Sequence, residues 1–170
     1  MNIDEFIQRV SEITDEKRNR LLDLVKNSSQ VILIGNGGSN AISSHIAVDY
    51  MKFLNKKAFA FSDSSMLTAY MNDYGVGDAY AKYLADMVAD DAYSLVILIS
   101  SSGNSTNIHN AANYCRSLGV NFVLLTGFNP DNNVRSDYGD DAALEYWVDS
   151  KSYGTVENAH QVFLHSIIDN

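Results

Sequence analysis

Cysteine and proline are almost absent from this sequence, with one residue of each among 170. The single cysteine, Cys115, excludes a disulfide framework and any zinc module built from several cysteines. No apolar run approaches the roughly 18 residues that a membrane-spanning helix needs, so we expect no membrane partner. The N-terminal segment is mixed in charge and lacks the apolar core of a secretory signal. We therefore expect a cytoplasmic protein.

Basic residues are also scarce, since 21 acidic residues face 12 lysines and arginines and the net charge is −9. The imbalance lies in residues 61–170, which carry fourteen acidic residues and only four basic ones. Nucleic acid binding needs a basic face, so this composition excludes nucleic acid as a partner. A solvated acidic surface accounts for the charge. If a small phosphate binds here, hydroxyls and backbone N–H groups must hold it.

Apolar residues make up 46% of the chain, and many form short continuous runs. These runs predict strands at 31–34, 58–61, 95–99, 121–126 and 144–148. The segments between them predict helices at 40–54, 65–74, 78–89, 105–118 and 155–168. Strands that are apolar throughout and alternate with helices indicate a parallel sheet covered on both faces. We predict one α/β domain with three layers, α/β/α, a five-stranded parallel sheet and an extra N-terminal helix.

The extra helix covers about the first 26 residues, where an apolar stripe runs from residue 3 to residue 25. Thr14 and Asp15 allow a break and a restart within it. The stripe exceeds what a closed three-layer domain needs to bury. We therefore predict that it packs against other subunits.

The loop after the first strand reads Gly-Asn-Gly-Gly-Ser over residues 35–39. Ligands of parallel α/β folds bind at the carboxyl ends of strands, and glycines let the backbone approach them closely. The loop is not the dinucleotide fingerprint, because Asn40 stands where the third glycine belongs. It is either a plain tight turn or a ligand loop. In the second case, Asn36, Gly37 and Ser39 contact the ligand.

The loop after the third strand contains four serines around one glycine: Ser100, Ser101, Ser102 and Ser105. A loop rich in hydroxyls that opens a helix can form an anion-binding nest. The alternative is a capped helix start, because serine and asparagine are good N-caps. Four serines at the expected ligand face favour a phosphate site.

Histidines and carboxylates share faces on two predicted helices. His45 and Asp49 are four residues apart on one, and Glu157 and His165 lie on one stripe of the last. Such a mixture of donors suits a divalent metal such as Zn²⁺, whereas the alternative is a structural role for each side chain. If a metal is bound, we predict that all four side chains converge on it.

Taken in order, the segments GNGGS, DSSMLTAYMNDYG, ISSSGNS and VENAHQVFLH resemble those of the sugar isomerase (SIS) family and, within it, the phosphoheptose isomerases. The resemblance covers about residues 28–168. It implies one SIS domain over residues 1–170, with residues 1–27 as an N-terminal oligomerisation helix. It also implies a homotetramer with active sites between subunits.

The resemblance further implies isomerisation of a sugar phosphate, sedoheptulose 7-phosphate, to D-glycero-D-manno-heptose 7-phosphate through an enediol, for heptose and polysaccharide precursors. Several family members use Zn²⁺. The family's phosphate loop matches the four serines, with Ser39 nearby, and its substrate-contacting pair matches Asn72 and Asp73. Glu157 stands where the family has a glutamine, and we predict that it also contacts substrate.

The catalytic roles follow from the same resemblance. Asp49 stands where the family has a glutamate that acts as general base, and His165 matches the general acid. The implied metal ligands are His45, Asp49, Glu157 and His165. The alternatives are an isomerase of another phosphosugar and a non-catalytic SIS module. Such a module would bind a phosphosugar or act as a tetrameric adaptor, like relatives that associate with the replication initiator. Four ionisable positions favour an isomerase.

Overall fold

The structure is a computed structural model that describes residues 1–88 and 93–168. Its strands are β1 (Val31–Gly35), β2 (Ala58–Ala60), β3 (Leu95–Ser100), β4 (Asn121–Gly127) and β5 (Leu144–Val148). Its helices are α1 (Ile3–Ser11), α2 (Asp15–Asn27), α3 (Gly38–Leu54), α4 (Ser64–Val88), α5 (Thr106–Leu118), α6 (Asn133–Tyr138) and α7 (Tyr153–His165).

The five strands form one sheet in the order β2-β1-β3-β4-β5, and every pair is parallel. The chain passes from β1 to one edge and then returns to place β3 on the other side of β1. In the β1–β3 register, Gly35 pairs with Ile99. The loops that follow these two strands therefore open at the same point of the sheet edge, where the strand order reverses and ligands bind in such folds. The predicted fold class is confirmed.

Two apolar layers cover the sheet. Alternate residues of β1, such as Val31 and Leu33, pack with α2, α3 and α7 on one face. Their neighbours Ile32 and Ile34 pack with α4, α5 and α6 on the other. Because side chains alternate between the faces of a strand, a strand buried on both sides must be apolar throughout.

The N-terminal segment forms two helices. Thr14 ends the break between them, because its hydroxyl accepts a hydrogen bond from the backbone N–H of Lys17 and caps α2. Leu21 and Val25 on α2 are fully buried in the core of their own chain. The part of the apolar stripe that lies on α2 is therefore not available to other subunits. The expectation that the whole stripe packs against other subunits is wrong.

One helical segment agrees with the sequence prediction in an unexpected form, and another was missed. The predicted helices at 65–74 and 78–89 are both present within α4, on either side of a sharp kink at Gly75, whose φ of 77° is left-handed. The predicted end at residue 89 lies outside the described residues. The helix α6 was not predicted, because its six residues carry little apolar periodicity. The Asn132 side chain caps it, and Val134 and Tyr138 are buried against the sheet.

Within the described ranges, none of the helices is both long and apolar enough to cross a membrane.

Candidate active site

A small polar pocket of about 120 Å³ opens between the loops that follow β1 and β3. Its lining consists mainly of hydroxyl and amide side chains: Asn36, Ser39, Ile99, Ser100, Ser101, Ser102, Ser105, Tyr153 and Glu157. We call it the serine pocket. No lysine or arginine is among these lining residues. The pocket can therefore hold an anion only through neutral donors and the N-terminal end of α5.

The serine hydroxyls are only partly used within the protein. Ser105 occupies the N-cap position of α5, yet its side chain makes no capping hydrogen bond. The hydroxyl of Ser101 is buried without a hydrogen-bond partner in the described part of the chain. A buried hydroxyl without a partner is costly, so the Ser101 side chain suits a ligand, and the half-buried Ser105 hydroxyl does not serve as the helix cap that the alternative requires.

The serine loop needs a glycine at position 103. Gly103 has a φ of 65°, and a Cβ there would lie 1.8 Å from Oδ1 of Asn132. The Asn132 amide donates to the carbonyls of Gly127 and Asn129, which holds it against the loop. The end of β4 therefore supports the loop that follows β3.

The loop after β1 also reaches the pocket. Gly37 has a φ of 52° and occupies the N-cap position of α3, whose first turn carries the buried side chain of Ser39. The amide of Asn36 exchanges two hydrogen bonds of 2.9 Å with the amide of Asn107 on α5. The two loops that form the pocket are thus joined by a pair of side-chain amides.

A cluster of two histidines and one carboxylate lies where α3 and α7 run side by side. Nε2 of His165 lies 2.9 Å from Oδ2 of Asp49, and Nε2 of His45 lies 3.4 Å from the same oxygen. One ligand atom from each of the three residues lies within 4.8 Å of the others. The rings of His45 and His165 meet edge to face, 5.0 Å between centroids. Two imidazole nitrogens and a carboxylate oxygen form a donor set that fits Zn²⁺.

Glu157 lies outside this cluster of three, between it and the serine pocket. Its carboxylate packs against the backbone of Gly38, where an added Cβ would lie 2.5 Å from Oε2. Glu157 lines the serine pocket and also a neighbouring cavity of about 330 Å³, which His45 lines as well. Burial raises the pKa of the Glu157 carboxyl. The serine pocket and this cavity therefore share Glu157, which stays a predicted metal ligand.

Residues 3–127 match the SIS domain family, which is most of the chain. The chain belongs to the SIS domain family. This SIS domain is 29% identical over 177 residues to a phosphoheptose isomerase of Aliarcobacter butzleri, covering 99% of this chain and 90% of the relative. It is 30% identical over 158 residues to one of Mycobacterium tuberculosis, covering 89% and 76%.

A solved phosphoheptose isomerase from Neisseria gonorrhoeae has the same fold as this SIS domain. The TM-score is 0.83 at 25% identity, and the match covers 96% of this chain and 90% of the other. The family resemblance inferred from the four sequence segments is therefore confirmed.

Two predicted substrate residues of this SIS domain lie away from the pocket. Asn72 and Asp73 are exposed on α4, just before the kink at Gly75, and the Asn72 amide donates to the Asp73 carboxylate at 2.9 Å. Neither lines the serine pocket. Their contact with substrate stays a prediction.

Three polar residues near the pocket were missed from the sequence. Tyr153 lines it from the first turn of α7, and Asn107 and Tyr80 hold Asn36 from two other helices. Asn107 follows the last serine of the loop by two residues, so its position in the sequence could have indicated that it lies near the pocket. Tyr80 is far along the chain in α4, and no local pattern marks it.

Proposed function

We propose that this SIS domain is a phosphoheptose isomerase that converts sedoheptulose 7-phosphate to D-glycero-D-manno-heptose 7-phosphate. The observation that carries the proposal is that Glu157 lines both a pocket of serine hydroxyls and a neighbouring cavity, and that this cavity is also lined by His45 of the cluster of two histidines and a carboxylate. Relatives that match nearly the whole chain are named phosphoheptose isomerases, which supports the substrate class.

The serine pocket holds the phosphate in this proposal. Ser100, Ser101, Ser102 and Ser105 supply hydroxyls, and the start of α5 supplies backbone N–H groups with a favourable helix dipole. Neutral donors bind a phosphomonoester less firmly than a cluster of arginines would. Such a site can release its product, which an isomerase must do at each turnover.

The carboxylate and the imidazole then move the protons. Isomerisation of a ketose to an aldose transfers one proton between C1 and C2 and another between the two oxygens. Asp49 removes the proton from carbon, and His165 handles the proton on oxygen. The 2.9 Å contact between Asp49 Oδ2 and His165 Nε2 places the two groups side by side, as the protons on adjacent carbon and oxygen atoms of one substrate require. Glu157 contacts the substrate between the phosphate and the reacting carbons.

We also propose that the cluster binds Zn²⁺ through His45, Asp49 and His165, with Glu157 as the fourth ligand. The support is the donor set, in which the three clustered atoms lie within 4.8 Å of one another. When bound, zinc supplies Lewis-acid stabilisation of negative charge on the sugar oxygens.

The proposed assembly is a homotetramer of a single domain over residues 1–170. Within the predicted oligomerisation segment, residues 1–27, the exposed face of α1 makes the contact between subunits, because the apolar residues of α2 are buried in their own chain. Ile3 and Ile7, one helical turn apart on α1, are 58% and 56% exposed. Val48 and Met51, one helical turn apart on α3, are also exposed. Exposed apolar side chains on two helices that both pack against α7 are typical of subunit interfaces. The cytoplasmic location stays a prediction.

The test is to follow aldose formation by NMR, with a panel of ketose phosphates and with or without added zinc. Asp49→Asn keeps the shape of the side chain but cannot take a proton, so we expect turnover to fall by about 10²- to 10⁴-fold while substrate still binds. Asp49→Glu restores the reach of the family's base and should keep or raise activity.

Asp137→Asn is the matched control, because Asp137 is also an aspartate paired with a histidine. Its Oδ2 lies 2.8 Å from Nε2 of His109, and this pair is on the opposite face of the sheet. It should leave turnover unchanged. The opposite result is a wild type that binds ketose phosphates and converts none of them, with Asp49→Glu equally inactive. That result would contradict the isomerase and favour a phosphosugar-binding module.

A further inference from the structure

The amides of Asn36 and Asn107 form a reciprocal pair between two loops of the serine pocket. Nδ2 of Asn36 donates to Oδ1 of Asn107, and Nδ2 of Asn107 donates to Oδ1 of Asn36, each at 2.9 Å. Asn107 is 5% exposed, so its side chain has little access to water. By itself, the pair would be equally well formed if both amides were flipped.

The backbone of α5 decides which way the amides face. The N–H of Ile108 donates to Oδ1 of Asn107 at 3.0 Å. A backbone N–H can only donate, so the atom that it meets must be the oxygen of Asn107 and not the nitrogen. The Asn107 nitrogen then faces Asn36, and Asn36 must present its own oxygen to it.

Tyr80 adds a second donor to the same oxygen. Its hydroxyl lies 2.8 Å from Oδ1 of Asn36 and 2.8 Å from the carbonyl oxygen of Gly35, and it shares its one hydrogen between these two acceptors. Tyr80 is 2% exposed, so water does not compete for these contacts. Asn107 and Tyr80 are thus the two donors that face the Asn36 oxygen.

The nitrogen of Asn36 is different, because it has two N–H bonds and only one is used, toward Asn107. The other has no partner in the described part of the chain, and Asn36 lines the serine pocket. With no cation among the lining residues, a directed N–H is valuable to an anion there, whereas the amide oxygen in its place would repel the anion.

We infer that Tyr80 and Asn107 are positioning residues, which hold the Asn36 side chain as an N–H donor toward an oxygen of the bound sugar phosphate. This inference rests on the proposed function and adds to it the residues that set the polarity of one substrate contact. Neither residue needs to touch the substrate. Tyr80 is 44 positions from Asn36 in the chain, and Asn107 is 71 positions from it.

The test compares Tyr80→Phe with Tyr83→Phe. Tyr80→Phe removes only the hydroxyl that faces Asn36. Tyr83 lies on the same helix, is 4% exposed and stacks on Phe61, and its hydroxyl makes no hydrogen bond within the described residues. Both variants keep a buried aromatic ring, so both should fold.

We expect Tyr80→Phe to raise the dissociation constants of sedoheptulose 7-phosphate and of inorganic phosphate by about fivefold, because an Asn36 amide that is no longer held by Tyr80 loses most of its hydrogen bond to the ligand. KM should rise by the same factor while kcat changes less than twofold, because the contact serves bound substrate and transition state alike. Tyr83→Phe should change each constant by less than twofold.

A second readout needs no turnover. In ¹H–¹⁵N correlation spectra, the chemical shift of the second Nδ2 hydrogen of Asn36 should change when inorganic phosphate binds to the wild type and to Tyr83→Phe. The change should be smaller in Tyr80→Phe. If wild type binds phosphate and Tyr80→Phe matches Tyr83→Phe in both affinity and spectrum, the positioning role is wrong while the proposed function stands. If wild type binds neither phosphate nor any sugar phosphate, the proposed function itself is overturned.

Discussion

Replacing His160 by glutamine should make the protein less sensitive to acid. His160 lies on α7 with no exposed surface, and its Nε2 donates to the backbone carbonyl of Thr126 at 3.0 Å. Burial disfavours the charged imidazolium and lowers the pKa of His160 to about 4, although the bond to Thr126 opposes the shift. Glutamine can keep a donor near the same carbonyl, and it does not titrate.

The magnitude follows from the two pKa values. In the unfolded chain the pKa of His160 is 6.5, and in the folded protein it is about 4. Between these values the unfolded state binds a proton that the folded state does not, so stability falls as pH falls. Each pKa unit is worth about 1.4 kcal/mol, so the loss reaches about 3 kcal/mol at pH 4. Above pH 6.5 this group makes no pH-dependent contribution.

The assay is urea unfolding of wild type and His160→Gln at one protein concentration and a series of pH values from 7.5 to 4. Other groups titrate in both proteins, so the difference between the two curves isolates His160. Wild type should lose about 3 kcal/mol more than His160→Gln over this range. Parallel curves, or an NMR titration that gives folded His160 a pKa near 6.5, would refute the reasoning.

Two further predictions concern the loop and the assembly. Gly103→Ala should destabilise the protein more than Gly119→Ala, although both glycines have φ near 65°, because the new methyl meets Asn132 at position 103 and open space at 119. Gly119→Ala should cost about 1–2 kcal/mol in thermal unfolding, and equal costs would contradict the packing argument. Ile7→Glu should dissociate the proposed tetramer in analytical ultracentrifugation, whereas Leu118→Glu, at the same 56% exposure on α5, should not. A tetramer that survives Ile7→Glu would exclude the exposed face of α1 from the interface.

Much of the fold could be predicted from the sequence, because the signals are local. A strand buried on both faces needs an unbroken apolar run, and the runs at 31–34 and 95–99 differ from β1 and β3 by one residue at their ends. The parallel arrangement follows from the helices between the strands. The serine loop was predicted at the ligand face for the same reason, since it directly follows a buried strand. The short helix α6 was missed because it depends on a cap and two buried contacts rather than on a periodic pattern.

The tertiary structure alone decided which polar groups meet. Helical spacing predicts that Asp49 and His45 share a face, but the 2.9 Å contact between Asp49 and His165 depends on how α3 packs beside α7. The same packing sets Glu157 against Gly38 and outside the histidine cluster. Residue patterns indicate the conformation of each segment and which of its faces is buried, because these depend on residues close together in the chain. Side-chain contacts across the fold depend instead on the distance and angle between whole elements, and no local pattern encodes these.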